Sequence, residues 1–359
     1  MIPIAKPEIS DEEIREVEKV LRSGYLVSGK KVKEFEKNFA HYIGVKHAIA
    51  TSTGTSALHT ALLSLGIGKG DEVITTPFSF ISSSNCILFV GAKPVFVDID
   101  ERTFNIDSNK IEEKITERTK AVLPVHLFGQ PCEIKKISEI CDDHGLFLIE
   151  DSCQAHGAEY EGKKVGSFGD VSCFSFYATK NMPIGEGGMI TTNDEEIAEK
   201  ARIIVNQGQK KKYNHAELGF NYRMMELQAV IGLGQLKKLD ERNEKRIKNA
   251  AFLTKNLLRI NYIKTPFISP NVKHIFHQYT IRCRERDKLQ THLLNEGIQT
   301  MIYYPISIHK QPLYQKLGFN IRLEKSEKAA REVFSVPVYS SLSKKDLEKI
   351  VKSIKSFQS

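Results

Sequence analysis

Short apolar runs alternating with segments of helical period constrain this chain more than any other feature of it. HAIAT (47–51), DEVITTP (71–77), KPVFVDID (93–100), KAVLPVHLFG (120–129), LFLIED (146–151) and VSCFSF (171–176) each read as a strand. LFLI is apolar along its whole length, as a strand buried on both faces is. Strands separated by crossover helices return in parallel. The alternation therefore predicts an α/β fold with a mostly parallel sheet wrapped by helices.

The helical segments carry their own start and stop signals. Ser10 and Glu13 stand at capping-box spacing before an amphipathic run over 10–21, which stops at Gly24. Further helices are expected over 32–42, from about 56, between KPVFVDID and KAVLPVHLFG, over 134–144 and over 194–205. One long helix from 227 to about 258 then leads into a smaller unit. That unit should hold the strand HQYTIRC (277–283), a helix over 287–295, the segment IQTMIYYPISIHKQPLY (298–314) and a final helix over 344–356. Two domains are expected, a large one of residues 1–245 and a small α+β one of residues 246–359.

Composition excludes several classes of protein. With 41% hydrophobic residues in 359 the chain can bury a substantial core, yet no apolar run approaches the length of a membrane span. MIPIAKPEIS is interrupted by proline and charge too early for a signal peptide, so a cytoplasmic location is expected. A net charge of +8 suits an anionic partner. Its distribution does not suit nucleic acid, because beyond Lys210, Lys211 and Lys212 the basic residues of QLKKLDERNEKRIKNAA are mixed with acids at helical spacing. Cys86, Cys132, Cys141, Cys153, Cys173 and Cys283 form no CxxC and read as buried free thiols. HIFH (274–277) lacks further ligands at metal-site spacing, so no metal is expected.

Three stretches carry candidate chemistry. In VSCFSFYATKNMPIGEGGMITT (171–192), Lys180 sits in a turn between apolar strands, followed by Gly185, Gly187 and Gly188. Such a setting can desolvate an amine, which lowers its pKa and makes it nucleophilic. In LFLIEDSCQAHGAEY (146–160), Asp151 ends a strand where open α/β sheets bind ligands, and it reads equally as a helix N-cap. In STGTSALHT (52–60), Thr53, Gly54 and Thr55 precede a helix whose first amides suit a phosphate, although such turns also cap ordinary helices. A Schiff-base lysine with an aspartate about thirty residues earlier, placed to pair a pyridinium nitrogen, is the pattern of pyridoxal phosphate chemistry.

EDSCQAHGA and SFYATKNMPIGEGG, in this order and between IPIAKPEIS and IYYPISIHKQPLY, make the chain similar to the DegT/DnrJ/EryC1/StrS sugar aminotransferases. The resemblance implies an aspartate-aminotransferase-like fold of type I, with pyridoxal 5'-phosphate joined to Lys180 and its ring nitrogen paired with Asp151. It gives the cofactor phosphate to Thr53, Gly54, Thr55 and Ser175, and stacks Phe80 on the ring. Gln154 would meet the ring's phenolic oxygen or the substrate. Asn221 would reach the phosphate site of a neighbouring subunit, so the active sites of a homodimer would be shared. Gly29 and Arg223 would lie near substrate. Tyr303, Tyr304 and His309 would close over it, or equally pack the domain junction. The chain departs from the family at Asn206, where relatives often carry histidine, and at MPI (182–184), where they often carry MTT.

The resemblance further implies that Lys180 moves the proton while the cofactor passes to its amino (PMP) form. The amino donor would be L-glutamate, leaving 2-oxoglutarate. The acceptor would be a keto group of a nucleotide-linked sugar, in surface polysaccharide or amino-sugar biosynthesis. Two other readings stand beside this one. Family members that dehydrate deoxysugars carry histidine in place of the lysine, and a regulator with a non-catalytic cofactor site would need neither Lys180 nor Asp151.

Overall fold

The computed structural model describes residues 1–357. Its centre is a seven-stranded sheet in the order His47–Thr51, Gly188–Thr192, Val171–Ser175, Phe147–Asp151, Thr119–Leu123, Glu72–Thr75, Lys93–Phe96. Gly188–Thr192 runs antiparallel to both its neighbours, and the other pairings are parallel. Six strands therefore point the same way, and their carboxyl ends form one edge. Thr51, Asp151 and Ser175 all end strands on it.

Helix signals in the sequence translate directly. Ser10 and Glu13 form the reciprocal capping box of the helix Asp11–Ser23, and Gly24 ends it in the left-handed region at φ 72°. The helix Gly54–Ser64 is buried nearly all round, because Ala57, Leu58, Ala61 and Leu62 pack between the sheet residues Ile49, Val73 and Ile190 and the helix residues Ala198 and Ala201. The helices Ile134–His144 and Lys344–Ser356 have the expected bounds.

Two expectations are corrected. No regular helix joins Lys93–Phe96 to Thr119–Leu123; the connection holds two 3₁₀ turns, Ser108–Lys110 and Glu112–Lys114. Asp100 accepts from the amides of Arg102 and Thr103, and Asp107 accepts from that of Asn109, so local side-chain bonds draw the backbone away from a helix. The long helix is two, Glu226–Lys237 and Leu239–Leu257. At Lys238 the backbone tightens to an i→i−3 bond with Gln235, while its amine donates to Ser10 at 2.8 Å.

The second helix leads into a smaller unit. There Ile263–Lys264, Tyr279–Cys283 and Val333–Val336 form an antiparallel sheet, covered by Leu239–Leu257, Arg286–Asn295 and Lys344–Ser356. Leu239 belongs to the core of the large unit, and Ala250, Leu253 and Leu257 to that of the small one, so the boundary we propose at 245/246 lies within this helix. Ile2 also packs into the small unit's core, returning the N-terminus to it. Among the described residues no helix is long and apolar enough to cross a membrane.

Candidate active site

The strand Val171–Ser175 runs into a tight turn in which the Lys180 amide donates to the Tyr177 carbonyl at 2.8 Å. The chain returns past Phe176, whose amide donates to Gly187 and whose carbonyl accepts from Ile184. Gly188 is required on the return: a Cβ there would lie 2.2 Å from the Thr53 carbonyl. Lys180 is thereby held at the sheet edge. Burial draws its amine below the ordinary lysine value, against the smaller opposite pull of Cys153 and Asp151.

Asp151 is buried at the end of Phe147–Asp151. One carboxylate oxygen accepts from the Ser83 hydroxyl at 2.7 Å, the other from the Cys153 amide at 3.1 Å. No helix follows it, so the capping alternative falls; the Cys153 bond instead turns the chain back toward the sheet. Its neighbour Glu150 points the other way, to His126 Nε2 at 3.0 Å and to the amides of Gly166, Phe168 and Gly169. The motif reading passed over Glu150, yet this network fixes the strand end that presents Asp151.

The turn of Thr53, Gly54 and Thr55, expected to take a phosphate, lies alongside. Thr53 caps the helix through its hydroxyl, which accepts from the Ser56 amide at 3.0 Å. Among the described residues the amides of Gly54 and Thr55 have no protein acceptor, and they stand at the positive end of the helix. A Cβ on Gly54 would sit 2.6 Å from the Ser175 Cβ and 3.1 Å from the Cys153 sulfur, so only glycine lets this helix end approach the strand end. Thr55 donates to Ser82 at 2.9 Å.

These groups surround a cavity of about 620 Å³, lined by Thr53, Gly54, Thr55, Asp151, Ser175 and Lys180. Phe80, 56% exposed, stands in its wall with its ring 6.4 Å from that of Tyr304. Tyr303 and Tyr304 close another side. Gln154 is engaged at both ends: Oε1 accepts from the Phe128 amide at 2.9 Å and Nε2 donates to the Tyr304 hydroxyl at 3.0 Å. Cys153 and His277 also line the cavity, and no motif marked either as a site residue. Burial pushes the Cys153 thiol up, so it is no nucleophile here.

Other candidate residues lie elsewhere. His309 is corrected: it is fully buried beside Phe96, with Nε2 3.1 Å from Glu327, and takes no part in the cavity wall. The domain-junction reading describes it, because helix Glu324–Glu332 supplies its partner. Gly29 precedes the helix Lys30–Ile43, whose Lys31 and Val32 amides donate to Glu226, and it lines a separate groove of about 600 Å³. Asn221 is exposed with its backbone paired to Asn206, and Arg223 donates to the Asn206 side chain at 2.8 Å. Neither lines the cavity, though Tyr222 between them accepts from the Ser52 amide beside the phosphate turn.

A flat, phosphorylated heterocycle with an aldehyde fits what is here. The cavity offers an amine depressed by burial, a buried carboxylate, free helix amides and a glycine-only approach beside them. This is the site of a pyridoxal-phosphate-dependent aminotransferase of fold type I. The chain matches the DegT/DnrJ/EryC1/StrS aminotransferase family over residues 7–355 and belongs to it. It is 45% identical over 356 residues to the pleiotropic regulatory protein of Geobacillus stearothermophilus, covering 98% of this chain and 95% of that one. It is 41% identical over 343 residues to dTDP-3-amino-3,6-dideoxy-alpha-D-galactopyranose transaminase of Aneurinibacillus thermoaerophilus, covering 94% and 93%. The crystal structure of NtdA from Bacillus subtilis with bound cofactor PMP superimposes with a TM-score of 0.90 at 35% identity, covering 97% of this chain and 82% of that one.

Proposed function

We propose that this aminotransferase moves an amino group from L-glutamate to a keto group of a nucleotide-linked sugar, for amino-sugar or surface-polysaccharide synthesis. The observation that carries the reading is the presence of the Lys180 amine and the Asp151 carboxylate in the wall of one cavity beside a free helix N-terminus. Bound pyridoxal phosphate supplies an electron sink for the carbanion that amino transfer requires. Lys180 would hold the cofactor through its amine, and that amine, when free, would take up and return the migrating proton. Asp151 keeps a proton on the ring nitrogen, and its bonds to Ser83 and Cys153 fix the carboxylate in place for this. Gly54, Thr55 and Ser175 would hold the phosphate, and Phe80 and Tyr304 wall the cavity.

We assign Asn221 and Arg223 to the site of a second copy, which fits their place beside the phosphate turn and outside this chain's cavity. The name of the transaminase relative supports a nucleotide-linked sugar, and the cytoplasm is where such substrates would be met. The name of the regulatory relative keeps one other reading in view. A regulator needs no desolvated lysine, and a dehydratase of this family would carry histidine there. The test is to add L-glutamate to the purified protein loaded with pyridoxal phosphate, then a panel of nucleotide-linked keto sugars. Loss of the visible absorbance of the lysine-bound cofactor, and its return on adding one sugar, is expected. An unchanged spectrum with every amino donor would favour the regulator.

A further inference from the structure

A chain of buried polar side chains behind the Lys180 turn has no part in the reaction as described. The Nδ1 atom of His277 lies 3.2 Å from Asn181 Oδ1. Asn181 Nδ2 donates to Asn243 Oδ1 at 2.8 Å and to the Ile275 carbonyl at 3.4 Å. Asn243 Nδ2 donates in turn to the His156 carbonyl at 2.8 Å. A backbone carbonyl can only accept, so the last link sets the polarity of all the others. Asn243 must turn its nitrogen to His156 and its oxygen to Asn181; Asn181 must then turn its oxygen to His277. An amide oxygen does not donate. The first bond therefore requires the proton of His277 to sit on Nδ1. Asn181, Asn243, His156 and His277 are all buried, so water does not replace the links.

The consequence falls on the other ring nitrogen. His277 lines the cavity together with Lys180, Gln154 and Tyr304, and among the described residues its Nε2 has no protein partner. The ring is neutral: burial pushes it well below the ordinary histidine value, and Lys180 from the turn, Arg246 from the helix Leu239–Leu257, His156 and His274 act in the same direction. Asp151, Cys153, Tyr177, Glu186, Tyr303 and Tyr304 are the other titratable groups of the cavity wall. With Nδ1 protonated and the ring neutral, Nε2 is a bare lone pair.

We propose that His277, fixed in the Nδ1–H tautomer by Asn181 and Asn243, is a positioning residue for Lys180, its Nε2 accepting a hydrogen bond from the lysine amine. The role rests on Lys180 being the proton-moving amine of the reaction proposed above. A neutral acceptor suits such an amine, because it orients the nitrogen and adds no positive charge beside a group that must be unprotonated to act as a base. It also couples the two units, since His277 leads into the small unit's strand Tyr279–Cys283.

Nitrogen NMR of the histidine-labelled protein without added cofactor reads the tautomer, with His277→Gln identifying the signal. Nδ1 protonated and Nε2 bare through the neutral range is expected; the Nε2–H form would overturn the proposal even in an active enzyme. Asn181→Asp places a carboxylate against Nδ1, which should protonate the ring near neutral pH. Its kcat/KM should then gain an acid limb beyond any that Lys180 itself gives the parent protein, falling about tenfold per pH unit and recovering at alkaline pH. A profile parallel to that of the parent would sink the positioning role. His277→Gln, which keeps an acceptor, should exceed His277→Leu by about tenfold in kcat, with KM for the amino donor unchanged; equal loss in the two would likewise count against it. A protein with the Nδ1–H tautomer that exchanges no amino group would instead overturn the aminotransferase reading, and with it the role given to the tautomer.

Discussion

The cofactor end and the substrate end that we propose for this active-site region are held in place by different means. At the cofactor end, Asp151 and Ser175 finish adjacent strands and Gly54 opens a helix. Each is locked by contacts within the chain, Gly54 against Ser175 and Cys153, Asp151 by Ser83 and the Cys153 amide. At the substrate end we propose, Gly29 and Arg223 stand at a helix start and in a loop, tied to Glu226 and Asn206 rather than to the cavity. Sheet geometry settles the first group, because strand pairing fixes strand ends to within one register step. It leaves the second group free to vary with substrate.

The contrast can be broken in five places. Lys180→Ala should lower the rate of amino transfer at least about 10⁴-fold in a single-turnover assay and remove the visible absorbance of the bound cofactor, since it takes away nucleophile and base together. Glu150→Gln should cost about 3–5 kcal/mol in denaturant unfolding, because it leaves His126 buried without its carboxylate. The pH dependence of that loss has a defined sign. Burial alone would lower His126, but Cys132 and Glu150 raise it above the ordinary 6.5; burial would raise Glu150, but His126 and the loop amides depress it below 4.5. The raised histidine contributes below its ordinary value and fades as pH climbs through its folded one. The depressed carboxylate contributes above its ordinary value and fades as pH falls. The advantage over Glu150→Gln should therefore peak in the mildly acidic window between 4.5 and 6.5 and shrink on both sides.

Gly54→Ala should destabilise the fold by about 1–3 kcal/mol and weaken cofactor binding in equilibrium dialysis, as its Cβ would press on backbone-anchored Ser175. Arg223→Ala should raise KM for the sugar by about tenfold and leave cofactor affinity unmoved, the split that separates the two ends. Gly29→Ala should do least. Its φ of −159° lies outside the left-handed region, and the nearest atoms to a new Cβ are those of the Glu226 carboxyl at 3.2 Å, which must give by a few tenths of an ångström, so thermal stability should fall by only about 0.5–1 kcal/mol. A loss of cofactor affinity in Gly29→Ala would place that loop in the cofactor end and dissolve the contrast.

Alternation of strand and helix, the capping box of Ser10 and Glu13, and the spacing of Asp151 and Lys180 are legible in the sequence alone. Each depends on residues near in sequence: a period, a cap, a strand that ends in an acid. Asp107, Lys238 and His309 show where that kind of reading stops. Side-chain bonds at Asp107 replaced an expected helix, a partner at Ser10 attends the break at Lys238, and Glu327 holds His309 away from the cavity.

The sequence by itself thus determined the α/β class, the family, and the lysine and aspartate to which we propose to give the chemistry. Tertiary structure decided which groups meet. Only packing shows that Gly54 must be glycine because Ser175 is there, that Glu150 braces the strand from behind, and that an amide chain ending on the His156 carbonyl selects a tautomer of His277. The reason is physical: periodicity and capping act over a few residues, whereas the orientation of a buried amide or the protonation of a buried ring depends on partners tens or hundreds of residues away.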